Sequence, residues 1–238
     1  MLYLIGLGLW DEGDVPLKAI EAMKKCDSIY VEFYTNKWHG SLERLEGIIG
    51  KKITVLKRTS VESEAVTDEA KGKNVALLIP GDPLAATTHI QLLIDAKEKN
   101  VPWEVVHASS IYSSIAETGL QLYKFGRTTT LTFPEESFKP NSPYEMIIEN
   151  GKVGLHTLVL LDIREAGLMT IKDGIEVLTE LGLDGETKII ACCQLGSPKQ
   201  IIRYGKMKEL AGLQGTPAAI VIPGKLHFKE EEALQLYE

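Results

Sequence analysis

The chain has 238 residues, 44% of them apolar, with 26 Lys and Arg against 33 Asp and Glu for a formal net charge of −7. That apolar share excludes disorder as the overall state, and the length suits either two domains of about 110 residues each or one large α/β domain. The acidic balance argues against broad binding to a phosphate backbone, so no direct nucleic-acid partner is expected.

Cys26, Cys192 and Cys193 form no C-x-x-C pair, so they read as reduced, buried thiols and no metal site is expected. The opening Met1-Leu2-Tyr3-Leu4-Ile5-Gly6 lacks the basic start of a signal peptide. No stretch reaches the ~18 apolar residues needed to span a bilayer. A soluble, cytoplasmic protein without a membrane partner is the expectation.

Along the first half, short apolar runs end at Gly, Pro or Asp and give way to helical patterns. The strand candidates are Leu2–Leu7, Ser28–Phe33, Ile53–Leu56, Val75–Ile79 and Trp103–His107. Asp14 is placed to cap a helix with Pro16 in its first turn and Leu17, Ile20 and Met23 inward. Ser41 is placed to cap a second helix, with Leu42, Leu45 and Ile49 inward, and a third runs from Leu84 to Asn100 with Ile90, Leu93 and Ile94 inward. Nearly continuous apolar strands alternating with helices predict a largely parallel sheet covered on both faces.

The second half opens with a helical pattern at Ser110–Tyr123 after the linker His107-Ala108-Ser109. Strands are expected at Thr128–Phe133, Thr157–Ile163, Lys188–Gln194 and Ala218–Ile222, and helices at Tyr144–Asn150, Ile171–Leu181 and Lys206–Leu210. The less regular spacing suits a mixed sheet. Phe133–Pro143, with three prolines, reads as a long surface loop. A domain boundary near 108–112 divides the chain into residues 1–109 and 110–238.

Four strand ends carry chemistry. Gly6-Leu7-Gly8 follows the first strand, where missing side chains serve either a tight turn or the close approach of a ligand. The dinucleotide fingerprint fails at Asp11, and the phosphate loop G-x-x-x-x-G-K-[ST] is absent. Pro80-Gly81-Asp82-Pro83 places a carboxylate at a strand's carboxyl end, ready either for ligand hydroxyls or an amine, or simply to order the turn. Thr87, Thr88 and His89 follow it as polar walls or first-turn residues. Gln194-Leu195-Gly196-Ser197-Pro198 and Pro223-Gly224-Lys225-Leu226-His227 end two later strands, and together the four suggest one shared cleft. No nucleophile elbow or paired-carboxylate metal motif stands out, so a reaction governed by positioning fits best.

Together these motifs resemble the tetrapyrrole-methylase superfamily of S-adenosylmethionine enzymes, specifically its diphthine-forming branch. The similarity runs through Tyr3–Leu9, Glu32-Phe33-Tyr34-Thr35, Pro80–His89, Ser110–Ser113, Gly119–Gly126, Gly154–Leu158, Leu161-Asp162-Ile163 and Pro223–His227, end to end in the chain. The Pro that many members carry after the first glycines is replaced here by Leu9-Trp10, which is consistent with that branch. The resemblance implies two α/β domains with the cofactor cleft between them and a homodimer. It implies methyl transfer from S-adenosylmethionine to the amine of a modified histidine on translation elongation factor 2. Carried over position by position, the binding residues fall on Leu9, Asp82, Ala85, Ser110, Ile111, Leu161, Leu195 and His227. No catalytic base is assigned. The alternatives are a tetrapyrrole or ribosomal RNA methyltransferase of the same superfamily, or a non-catalytic module that senses an adenosyl metabolite.

Overall fold

Five strands of the first half pair edge to edge, and two interior ones, Leu2–Gly6 and Val75–Ile79, are apolar enough to be buried on both faces. The five are β1 (Leu2–Gly6), β2 (Ser28–Val31), β3 (Thr54–Val55), β4 (Val75–Ile79) and β5 (Trp103–Val106), and all pair in parallel in the order β3-β2-β4-β1-β5. The computed structural model of the chain describes residues 1–134, 140–164 and 167–238. The chain divides into two compact units, Met1–Ser113 and Ser114–Glu238.

In the first unit, alternate residues of the central strands feed two cores. Tyr3, Ile5, Ala76 and Leu78 point to one, with Met23 and Leu45 from α1 (Leu17–Lys25) and α2 (Leu42–Ile49). Leu2, Leu4, Val75, Leu77 and Ile79 point to the other, with Val61 and Val66 from α3 (Arg58–Val61) and α4 (Ala65–Glu69) and Leu92 from α5 (Ile90–Glu98). Both faces of the sheet are covered, as a parallel sheet requires.

Two helical faces differ from the expectation. In α1 the buried residues are Ala19, Ala22 and Met23, while Leu17 is 84% exposed. The cause is the start of the helix: Pro16 occupies the cap, and the Asp14 carboxylate accepts instead from the Trp10 amide at 2.7 Å. In α5 the buried positions are Leu92 and Ala96, and Ile90 and Ile94 are exposed, because residues 84–89 form an irregular turn and the helix begins only at Ile90. The Ser41 cap holds, with its hydroxyl accepting from the Arg44 amide at 3.2 Å.

Ser110–Tyr123 is a succession of short turns rather than one helix. It contains α6 (Ile111–Ser114) and 3-10 turns at Ile115–Thr118 and Leu122–Lys124. The second unit then forms β6 (Thr129–Leu131), α7 (Ser142–Lys152), β7 (Thr157–Leu161), β8 (Ile163–Arg164), β9 (Gly167–Leu168), α8 (Ile171–Glu180), β10 (Lys188–Cys193), β11 (Ile201–Lys206), α9 (Met207–Leu210), β12 (Ala218–Ile222) and α10 (Phe228–Leu234). Its main sheet is mixed, in the order β11-β10-β12-β7-β6, and only β6 and β7 pair in parallel. Leu131, Val159, Ile175, Leu178, Ile189, Ala191 and Ile220 share its core.

Edge strand β11 escapes the sequence reading because Arg203, Gly205 and Lys206 break the apolar pattern, and an edge strand tolerates such residues. Of the long loop expected at Phe133–Pro143, residues 135–139 lie outside the described residues. The three cysteines are free and buried. Among the described residues no helix is long and apolar enough to cross a membrane, and no cluster of His, Cys, Asp or Glu suits a metal ion.

Candidate functional site

In the first unit, parallel pairing gathers the carboxyl ends of β4, β1 and β5 side by side. Ligands of open α/β sheets sit at such an edge. Leu9 follows β1, Asp82 and Ala85 follow β4, and Ser110 and Ile111 follow β5, so five of the expected residues lie on one edge. Leu9, Asp82, Ala85 and Ile111 are half-buried and Ser110 is buried.

The glycines have distinct reasons. The turns after β1 and β4 lock together, with the Gly81 amide donating to the Gly8 carbonyl at 2.8 Å and the Gly8 amide to the Gly81 carbonyl at 3.2 Å. A Cβ on Gly6 would stand 2.6 Å from the Gly81 oxygen and 2.7 Å from Ala108 Cβ. A Cβ on Gly8, whose φ is +79°, would stand 2.4 Å from Asp14 Cβ. Both glycines are therefore required by close packing of the protein on itself. Gly81 differs: at φ +75° its Cβ would meet only Ser110 Cβ, at 4.0 Å, which leaves open space beside the turn.

Asp82 orders its own surroundings. Oδ1 accepts from the Leu84 amide at 3.0 Å, and Oδ2 accepts from His107 Nδ1 at 2.7 Å and from the Ala108 amide at 3.3 Å. This ties the loop after β4 to the loop after β5. A carboxylate offers about four acceptor positions, so Asp82 retains room for one further donor.

Beside this edge, after β2, lies a buried polar group. Glu32 is fully buried and accepts from the Tyr34 and Thr35 amides and the Thr35 hydroxyl. Burial raises its carboxyl above the usual range despite those donors. The buried His89 ring has Nε2 3.8 Å from Glu32 Oε1 and 3.4 Å from the Tyr34 hydroxyl, and burial pushes its imidazole down to about 4.

In the second unit the topology divides the expected residues. β7 and β10 both run antiparallel to β12, so Leu161 and Leu195 lie at one end of the sheet. The chain leaves β12 at the opposite end, where Pro223–His227 follows. Within this sheet the two groups leave from different ends because an antiparallel neighbour reverses which end carries the carboxyl terminus.

What fixes the Pro223–His227 segment is Glu230, which none of the sequence motifs includes. Fully buried Glu230 accepts from the Gln121 amide at 2.9 Å, the His227 amide at 2.8 Å, His156 Nε2 at 3.0 Å and the Lys124 ammonium. His156 Nδ1 in turn accepts from the Gly224 amide at 2.9 Å, which places the ring proton on Nε2, facing Glu230. Burial by itself would raise Glu230; the donors, led by Lys124, outweigh it and hold the carboxyl down to about 2. The motif stretches Gly119–Gly126 and Gly154–Leu158 therefore converge on this one carboxylate. The sequence signal for it is the box formed by His227 and Glu230 at the start of α10.

The family model for Tetrapyrrole (Corrin/Porphyrin) Methylases matches residues 1–211. The chain belongs to this methylase family. Over 251 residues it is 47% identical to a diphthine synthase of Methanocaldococcus jannaschii, covering 99% of this chain and 98% of that one. It is 45% identical over 249 residues to a diphthine synthase of Methanococcus maripaludis strain C5, with 99% and 98% covered. A crystal structure of diphthine synthase superposes with a TM-score of 0.92 at 32% identity, covering 99% of this chain and 95% of that one. This methylase is an enzyme, and its group is the diphthine-forming one.

Proposed function

We propose that the chain transfers methyl groups from S-adenosylmethionine to the amine of a modified histidine on translation elongation factor 2, in the biosynthesis of diphthamide. The observation that carries this reading is the edge built by β4, β1 and β5, together with full-length similarity to diphthine synthases. When bound, the sulfonium supplies a methyl group already activated for displacement.

The residues at the edge fit such a group. Gly81 leaves space, Asp82 keeps one acceptor position for a hydroxyl or amine, and Leu9, Ala85 and Ile111 offer half-buried apolar surface. In the second unit, Leu161, Leu195 and His227 are proposed as further contacts. His227 and Leu161 leave opposite ends of their sheet, so contact with both requires a ligand, or a returning loop, to cover the length of β7, about 13 Å.

The chemistry asks for orientation rather than a dedicated base. With the donor bound, the sulfonium would supply the methyl group and keep the electrons of its C–S bond, while the amine lone pair would form the new N–C bond. The amine must be neutral to attack, and its spare proton leaves to solvent between rounds. Fixing the two reactants in line lowers the barrier by up to ~7–11 kcal/mol.

Mass spectrometry of precursor-bearing elongation factor 2, after incubation with enzyme and S-adenosylmethionine, tests the substrate. A gain in methyl steps at the modified histidine is expected, and no gain overturns the reading. For the cofactor, Asp82→Ala is expected to weaken S-adenosylmethionine binding roughly ten- to a hundredfold by calorimetry, the worth of a charge-assisted hydrogen bond. Unchanged affinity would leave Asp82 with only its turn-ordering role.

A further inference from the structure

Among the described residues, the buried side-chain nitrogens without a hydrogen-bond partner are Trp38 Nε1, His39 Nδ1 and His89 Nδ1. All three follow β2 or β4, neighbouring strands of the first unit, at their carboxyl ends. Native proteins leave few such atoms, and a concentration of them calls for an explanation.

Two belong to a strap, residues 33–41, that is fastened to the turn after β1. The His39 amide donates to the Trp10 carbonyl at 2.8 Å, and the Ser41 amide donates to Glu12 Oε2 at 2.9 Å. Arg44 pairs with Glu12 at 3.0 Å. The rings of Trp10 and His39 stack with centroids 3.7 Å apart and planes 10° apart, and in the same strap Phe33 and Trp38 lie with centroids 6.4 Å apart. The Trp10 amide bond to Asp14 fixes the other side of that backbone. Trp10 is thereby held in one orientation, half-buried, one residue after Leu9.

The electrostatics around it suit a cation. Asp11 and Asp14 flank the indole in sequence, against the exposed Lys37, while Glu12 and Arg44 neutralise each other. Burial first, and then the charge of Lys37, lowers the His39 imidazole, so the stack is neutral at neutral pH.

We propose that the Trp10–His39 stack seats the alkylammonium group of the methyl acceptor. The inference rests on the reading above and adds the chemical class that this aromatic strap recognises. Each methyl added to an amine removes one N–H donor, so a seat made of hydrogen-bond acceptors loses its grip as the reaction proceeds. An aromatic face needs only the positive charge and holds a secondary, tertiary or quaternary ammonium alike. Such a face keeps a partly methylated, protonated acceptor in place between rounds, and the proton leaves to solvent before the neutral amine attacks again.

Two experiments test this. In the first, tetramethylammonium chloride is titrated into the intact protein, against sodium chloride at equal ionic strength, while the indole N–H resonances of the three tryptophans are followed. A saturable shift of Trp10, absent at Trp103, is expected. A Trp10 resonance that does not respond overturns the seat, whatever the enzyme's acceptor proves to be.

In the second, the protein acceptor is methylated by wild type, Trp10→Phe and Trp10→Leu. Trp10→Leu is expected to raise the acceptor KM roughly tenfold and to shift the products toward fewer methyl groups, with S-adenosylmethionine affinity unchanged and Trp10→Phe largely restoring both. An unchanged KM and product distribution in Trp10→Leu overturns the seat. Should that variant melt early, fluorinated tryptophan at position 10 keeps the shape while weakening the ring's attraction for cations, and a KM indifferent to fluorination is equally decisive. Failure of wild type to methylate the factor would sink the functional reading, while the titration still decides the seat.

Discussion

The two units solve the same problem, holding loops in place at the ends of a sheet, by different means. In the first unit the strands are all parallel, so consecutive strand-to-helix turns collect at one edge and interlock backbone to backbone through Gly6, Gly8 and Gly81. In the second unit β12 runs against both its neighbours, so its outgoing loop lies at the other end, held by the carboxylate of Glu230 with four donors. Parallel pairing gathers motifs without further help. Antiparallel pairing disperses them, and a buried charge has to hold what the topology leaves loose.

The largest expected effect tests that buried charge. Glu230→Gln keeps the shape but strips the Lys124 ammonium of its charge partner and turns a donor, the amide NH2, toward groups that themselves donate. A loss of about 3 kcal/mol in thermal or urea unfolding is expected, as for breaking a buried pair. The wild type adds a pH signature. Because the folded carboxyl is held near 2, below its ordinary 4.5, its stabilisation is complete above about pH 4.5 and is lost as pH falls toward 2. Glu230→Gln is expected to flatten that acid limb, and an acid limb as steep as that of the wild type would show that other groups hold the segment.

Next comes the interlock of the first unit. Gly6→Ala drives a methyl group against the Gly81 oxygen and Ala108, and a loss of about 1–3 kcal/mol is expected in the same unfolding measurement. The smallest effect separates space from packing. Gly81→Ala meets no backbone and costs about 1 kcal/mol for the left-handed φ, yet it projects a methyl into the space proposed for the cofactor. A clear loss of S-adenosylmethionine affinity beside a small loss of stability is expected. Equal losses in the two glycine variants would erase the distinction between them.

Much of the first unit was legible because its determinants are local. Five apolar runs read directly as strands, Val75–Ile79 to the residue, and the cap at Ser41 followed from its spacing. Where helix phase depended on the preceding turn the reading slipped, as at Leu17, Ile90 and Ile94, since a cap displaced by a few residues rotates the face that packs inward. Asp82 was legible as a turn-ordering carboxylate, but its tie to His107 and Ala108 required knowing that β5 lies beside β1 and so near the end of β4.

The glycine turn shows the division most clearly. The sequence by itself determined that residues 6–8 form a side-chain-free turn after a buried strand, that dinucleotide and phosphate-loop patterns are absent, and that the company of Gly81-Asp82-Pro83 marks the methylase family. It left open why the glycines are there. Only the tertiary structure decided that Gly6 and Gly8 admit the protein's own backbone and that Gly81 leaves space. It likewise decided that Glu230, His156 and Lys124, remote in the chain, share one buried charge cluster. The reason is physical: turn propensity and strand burial are properties of a few consecutive residues, whereas close approach and charge pairing depend on which strands become neighbours and in which direction they run.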